Sequence, residues 1–192
     1  MFNDRSTPLS LLATRRSGKP RDLAAPGPDM AGLEEMCAIA ARTPDHGKLA
    51  PWRFVIVAPE QRARLARVIT DAYRAERSEA KRIEIEALEQ FAHQAPALVV
   101  VLSSPRADSK IPLWEQELSA GAACMNLLHA AHAMGFAGGW LTGWAAYSDA
   151  VRDAFGAAPE RIAGFVFIGT PGRPLDERPR PDPAAVIGRW GG

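Results

Sequence analysis

Three stretches of this 192-residue sequence carry groups that could do chemistry. Arg15-Arg16-Ser17 sets two guanidinium forks beside a hydroxyl. That set can hold a phosphate monoester, and it can equally be the solvated end of a helix whose dipole it complements. From Ala41 to Val57 a helix end passes into a polar loop and then a buried strand without a spacer. The loop offers Arg42, Asp45, His46 and Lys48 to a ligand, while Pro44 and Pro51 keep its backbone extended. The plainer alternative is a polar turn with Asp45 capping local amides. Gly138-Gly139-Trp140-Leu141-Thr142-Gly143 permits close backbone approach, either by a ligand or by a neighbouring element.

Other polar groups fit packing better than chemistry. Glu115 and Glu117, two apart on a helix, face different ways and cannot form an acid/base pair; structural or interface roles are expected for them. His129 and His132 share a helical face but lack a third ligand at suitable spacing, so no metal site is expected. Cys37 and Cys124 fall in apolar helical patterns with no Cys-x-x-Cys pairing. A Gly-x-Ser-x-Gly turn is absent, and no Gly-x-Gly-x-x-Gly follows a strand, which disfavours a serine hydrolase and a Rossmann fold.

The elements that must position these groups alternate between helix and strand. Thr7 caps and Pro8 opens a short helix that reaches Arg15. Asp29 caps a second, with Met30, Leu33, Met36, Cys37, Ala40 and Ala41 on its apolar spacing, and this helix delivers the Pro44-Asp45-His46 loop. Strands are expected at Phe54 to Val57, Ala97 to Leu102 and Ile162 to Gly169; the second is apolar on both faces and needs cover on both. A helix runs from Gln61 to about Tyr73, and the charged stretch Arg74 to Glu89 reads as a largely solvated or mobile helix anchored by Ile83, Ile85, Leu88 and Phe91. Leu113 to Met134 is apolar nearly all round, as befits a central helix buried against a sheet or another subunit. Ser148 caps a short helix to Phe155, and Pro171 to Pro183 is an extended, arginine-rich arm.

Length and charge bound the rest. At about 150 residues per domain, one domain is expected over 1–192, with the arm starting near residue 170. Basic and acidic residues number 23 and 22, so no overall field is available to hold nucleic acid. The longest apolar run, Ala97 to Leu102, falls far short of the roughly 20 residues of a membrane helix, and the first residues contain no apolar signal core. A cytoplasmic protein is expected, with no membrane or nucleic-acid partner.

Taken in order and spacing, Arg15-Arg16-Ser17, the Pro44-Asp45-His46 loop before Pro51-Trp52, and Trp114-Glu115-Gln116-Glu117-Leu118-Ser119-Ala120-Gly121-Ala122-Ala123 resemble the nitroreductase family of FMN-dependent oxidoreductases. The chain is most similar to the small branch with Arg-Arg-Ser and Pro-Asp-His, and the resemblance runs from about Leu9 to Pro183. Larger relatives have small polar residues, Asn and Gln at several loop positions where this chain has Asp45, His46, Lys48 and Ala50.

The resemblance implies a three-layer α+β fold, its central, mostly antiparallel sheet flanked by helices, in an intertwined homodimer. It also implies FMN in two equivalent interface sites, NAD(P)H as reductant, and a small electron-poor acceptor such as a nitroaromatic or quinone taking its place in ping-pong order. Arg15, Arg16 and Ser17 would hold the phosphate and ribityl chain, and Arg42, His46 and Lys48 a flavin edge or ribityl hydroxyl. Gly139, Trp140, Leu141 and Thr142 would lie beside the reactive edge, with a main-chain amide of Leu141, Thr142 or Gly143 donating to N5. Arg178 would return charge to the phosphate from the arm. Flavin N5 does the chemistry, and no side-chain acid or base is required. Two other functions are compatible with the same scaffold: a specialised flavin dehydrogenase or flavin-cleaving oxygenase, and a non-catalytic flavin-binding protein.

Overall fold

β3 (Ala97–Ser103) is buried along all seven residues, and its alternation explains the layering of the molecule. Leu98, Val100 and Leu102 join Phe165 and Phe167 in one core, while Val99 and Val101 join Val166 and Ile168 in another on the opposite face. A strand apolar on both sides can be buried only between two covering layers. A computed structural model describes residues 2–191 of the chain.

β3 pairs antiparallel with β2 (Trp52–Ile56) on one side and with β5 (Arg161–Pro171) on the other. β5 also pairs antiparallel with β4 (Ala137–Leu141) and, near its end, with the two-residue β1 (Leu23–Ala24). The sheet is therefore antiparallel throughout, with helices on both faces. α2 (Met30–Ala40) and α5 (Leu113–Ala133) cover one face. α3 (Arg62–Glu76), α4 (Arg82–His93), α6 (Trp144–Tyr147) and α7 (Asp149–Asp153) cover the other. There Phe91 meets Phe165 and Phe167 edge to face at 5.1 and 5.2 Å, contacts worth about 0.5–1.5 kcal/mol each beyond the area they bury.

Three expectations change. The charged stretch Arg74 to Glu89 is two helices, not one: α3 ends at Glu76, and α4 begins at Arg82 and packs back through Leu88, Phe91 and Ala92. Ser148 stands at the N-cap position of α7, yet its side chain caps nothing; its hydroxyl donates to Glu76 instead. The Gly138-Gly139 segment is an edge strand, which its missing side chains conceal. The caps expected at Thr7 and Asp29 are present, each accepting an amide of its own first turn. Beyond β5 the arm is irregular until α8 (Pro183–Val186). Among the described residues no helix is long and apolar enough to cross a membrane.

Candidate functional site

Two of the three chemical stretches meet at the edge of β4. A Cβ at Gly139 would stand 2.6 Å from the Gly18 carbonyl oxygen, so only glycine lets the segment after α1 (Pro8–Thr14) lie directly on the strand. Gly18 N–H donates to Gly138 O at 3.1 Å, so the Gly138 peptide faces away from β5. Antiparallel pairing alternates, and Gly139 and Leu141, opposite Phe167 and Phe165, bond back into the sheet while Trp140 faces outward. The Trp140 indole is itself held in place: Nε1 donates to Ala163 O at 3.0 Å and the ring lies against Gly164, where any Cβ would overlap it.

The two arginines differ in what they do. Arg16 is engaged by its own chain, with Nε donating to Asp176 O at 2.6 Å and lying 3.8 Å from Glu177. Lys19 with Asp176 and Arg173 with Asp22 fasten the same part of the arm over residues 16–22. Arg15 donates to Ser17 Oγ at 3.1 Å, and burial, followed by the charges of Arg180 and Arg16, lowers its pKa from the ordinary arginine value. No acid figures among the groups acting on it. Arg180, and not Arg178, is the arm residue whose charge reaches Arg15; Arg178 is exposed, and its backbone N–H bonds to Glu177.

His129 and His132 complete this end of α5. Burial, and then the Arg15 charge, lower the pKa of His129. His132 is fully buried with Nδ1 2.6 Å from Leu128 O and Nε2 3.2 Å from Arg16 O, so it packs the Arg15–Ser17 segment onto the helix. Burial outweighs these two carbonyls and lowers its pKa below the usual histidine value.

The third stretch lies at the other end of α5. Asn126 donates to the buried Thr43 hydroxyl at 2.7 Å, and from there the loop runs toward the start of the helix. Asp45 Oδ2 accepts Ala50 N–H at 2.9 Å, the local turn that was the plainer alternative. Gly47, Lys48 and Ala50 all have positive φ, strain of roughly 1–3 kcal/mol for each non-glycine residue. His46 Nδ1 lies 2.8 Å from Glu115 Oε2, and a carboxylate can only accept, so Nδ1 carries the proton and Nε2 is left free. Arg42 and Lys48 are exposed.

Glu115 and His132 are 17 residues apart on one straight element, a separation of about 25 Å. Within one chain, therefore, the Arg15 and His46 halves do not meet. Between them a stripe follows α5 at helical spacing, exposed at Trp114, Leu118, Ala122 and Ala133 and half-buried at Met125 and His129. Trp114 is 67% exposed and Leu118 53%, unusual for large apolar side chains in the middle of a fold.

The remaining polar groups support structure. Arg53 grips both Glu160 oxygens, at 3.0 and 2.9 Å, and holds that carboxyl down to about 2. Glu117 pairs with Arg161 at 3.6 Å. Burial pushes the Cys37 thiol up to about 11 and Cys124 up to about 12, making both poor nucleophiles at neutral pH. Sequence reasoning missed Glu115 as the partner of His46, because the contact spans 69 residues and has no local signature. Among the arm arginines Arg173, Arg178 and Arg180 it favoured Arg178, since a proline-rich arm has no period from which facing residues can be read.

The site thus sits on an antiparallel sheet between two helical layers, with a basic segment docked on the edge of β4. The Nitroreductase family model matches residues 12–170, and the chain belongs to that family. It is 37% identical over 164 residues to YdjA, a candidate NAD(P)H nitroreductase of Escherichia coli (strain K12), covering 85% of this chain and 87% of that one. The fold is shared with a nitroreductase-like family protein from Bacillus cereus at TM-score 0.81 and 20% identity, over 97% of each chain. It is also shared with the FMN and NADPH-dependent nitroreductase NfnB from Sphigopyxis sp. strain HMH, at TM-score 0.71 and 19% identity over 94% of this chain and 97% of that one.

Proposed function

We propose that the chain is a homodimeric FMN enzyme that passes electrons from NAD(P)H to electron-poor acceptors such as nitroaromatics or quinones. The observation that carries this reading is the half-buried Arg15, which among the described residues bonds the Ser17 hydroxyl and no carboxylate, on the segment that docks through Gly18 on the edge of β4. Arg15 has no carboxylate of its own while Arg16 and Arg180 share Glu177, so the cluster keeps excess positive charge that suits a doubly charged phosphate, and the part of the β4 edge beyond Gly18 suits a planar heterocycle that needs a backbone donor. The residues present therefore fit FMN.

Bound FMN would supply two-electron redox chemistry at N5. Arg15, with the Ser17 hydroxyl and Arg180, would hold the phosphate, while Arg16 keeps the arm in place. Leu141 N–H is committed to β5, so Thr142 or Gly143 would donate to N5. A two-fold axis across α5 would pair the uncovered stripes antiparallel and set the His46 end of one protomer against the Arg15 end of its partner. His46 Nε2, Arg42 and Lys48 would then reach the flavin of the other subunit. The Trp114 and Leu118 faces would exclude water from the same region. One open ring face would serve reductant and acceptor in turn.

The absorbance spectrum of the purified protein tests the reading. Two bands of oxidised flavin, bleached by anaerobic NADPH, are expected, and a nitroaromatic should restore them with parallel initial-rate lines. A colourless protein that takes up no FMN on titration overturns it. Intersecting lines would overturn the shared pocket alone.

A further inference from the structure

The turn that follows β4 is held from outside. Glu76, the last residue of α3, accepts the Trp144 indole N–H through Oε2 at 3.2 Å and the Ser148 hydroxyl through Oε1 at 2.9 Å. Those donors flank the two ends of α6, whose Ala145 and Ala146 are buried in the core, so one carboxylate ties down both ends of the helix. Tyr73, in the same last turn of α3, meets the Trp144 ring edge to face at 4.8 Å. The Tyr73 hydroxyl donates to Glu84 of α4 at 3.0 Å, which braces the anchor through the α3–α4 hairpin.

α6 needs such an anchor. Four residues cannot offset the cost of nucleating a helix. Gly143, immediately before it, has φ +69° and nothing within 4 Å of where a Cβ would stand, so no packing of its own holds the link to β4. Upstream the chain is fixed by pairing with β5, which ends at Leu141. Between these two fixed points lie only Thr142 and Gly143.

We propose that Glu76 is a positioning residue: by clamping α6 from both ends, it sets the Thr142–Gly143 amides that face flavin N5. The inference rests on the FMN reading above. A donor to N5 bonds the oxidised ring and loses its acceptor when N5 carries hydrogen, so loosening the donor should weaken oxidised FMN more than reduced FMN. Glu76 itself is exposed and touches neither cofactor nor substrate, so its removal leaves the core intact.

The test compares Glu76→Ala, Glu76→Gln and Arg74→Ala in the FMN-loaded dimer, measuring FMN affinity and the midpoint potential of the bound flavin. Glu76→Ala should weaken oxidised FMN about fivefold to tenfold relative to reduced FMN, a rise of about 20–30 mV for a two-electron couple. Glu76→Gln should restore wild-type values, because its amide oxygen accepts the indole N–H and its amide N–H can donate to Ser148. Arg74→Ala, in the same turn and paired only with Asp71, should leave both unchanged. An unshifted potential in Glu76→Ala, an equal shift in Arg74→Ala, or a Gln variant that behaves like Ala would each overturn the positioning role. Should Glu76→Ala aggregate, Ser148→Ala removes one of the two bonds and should give a smaller shift of the same sign; no shift overturns the proposal. Failure of the wild-type protein to bind FMN in the same titration overturns the FMN reading instead.

Discussion

The two ends of α5 carry charge in opposite ways. At its C-terminal end, Arg15 is half-buried among Arg16, Arg180 and His129 with no acid acting on it, and His132 is sealed beneath. At its N-terminal end, His46 and Glu115 hydrogen-bond in the open, their side chains 64% and 44% exposed. Like charges gathered out of water raise the energy of the empty fold and are stabilised by an anion. An exposed polar pair costs little, contributes little, and can swing to meet whatever docks on it. In the proposed dimer, one end would be built in advance and the other completed on assembly.

The sharpest way to break this comparison is subunit mixing. Arg15→Ala and His46→Ala should each be nearly inactive at limiting FMN if both half-sites serve every flavin. Mixed in equal amounts and allowed to exchange, half of the dimers become hybrids, and each hybrid has one site with both halves intact. About a quarter of wild-type activity should return. If each flavin used only one chain, mixing would restore nothing.

Phosphate discrimination comes next in size. A charge-assisted hydrogen bond to phosphate contributes about 1.5–3 kcal/mol. Arg15→Ala should therefore weaken FMN roughly tenfold to a hundredfold while leaving riboflavin little changed. Arg180→Ala should act in the same direction and Arg178→Ala less, as read by fluorescence titration of the apoprotein. Equal losses for both ligands would assign the arginine to the fold.

The buried end should also respond to acid. Burial lowers the folded pKa of His132 and His129 below the ordinary histidine value of about 6.5, so the unfolded chain takes up protons first as pH falls. Stability from these residues is fully present above about 6.5 and is lost as pH falls through their lowered folded values. The melting temperature should fall between pH 7.5 and 5.5, and His132→Gln should flatten the slope. Glu160, held near 2, contributes no slope in that window. The smallest effect belongs to the exposed end: Glu115→Ala should weaken FMN by no more than about fivefold, in a salt-dependent way, and should add nothing in a His46→Ala background.

Much of this could be read before folding. The uninterrupted apolar run of β3 required two covering layers, and the small-residue helix α5 required a second surface. The residue types at Arg15–Ser17 and His46 pointed to a ligand. β4 was hidden because Gly138 and Gly139 have no side chains to alternate. The break between α3 and α4 was hidden because Ser78-Glu79-Ala80 contains neither Gly nor Pro and matches the charge of its flanks. The division of labour between Arg15 and Arg16 depends on Asp176, 160 residues away, and the clamp at Glu76 on Ser148, 72 residues away. Local pattern holds no trace of such pairs.

α5 runs 21 residues without proline or a recorded kink, which makes it a ruler as well as a wall. Inserting or deleting one residue between Glu115 and His129 would turn one end about 100° against the other and shift it about 1.5 Å. The hydrogen bond with His46 and the packing under Arg16 could not then both form. Descendants of this sequence are free to lengthen the 77–81 turn, where nothing is counted, but the length of this helix is fixed.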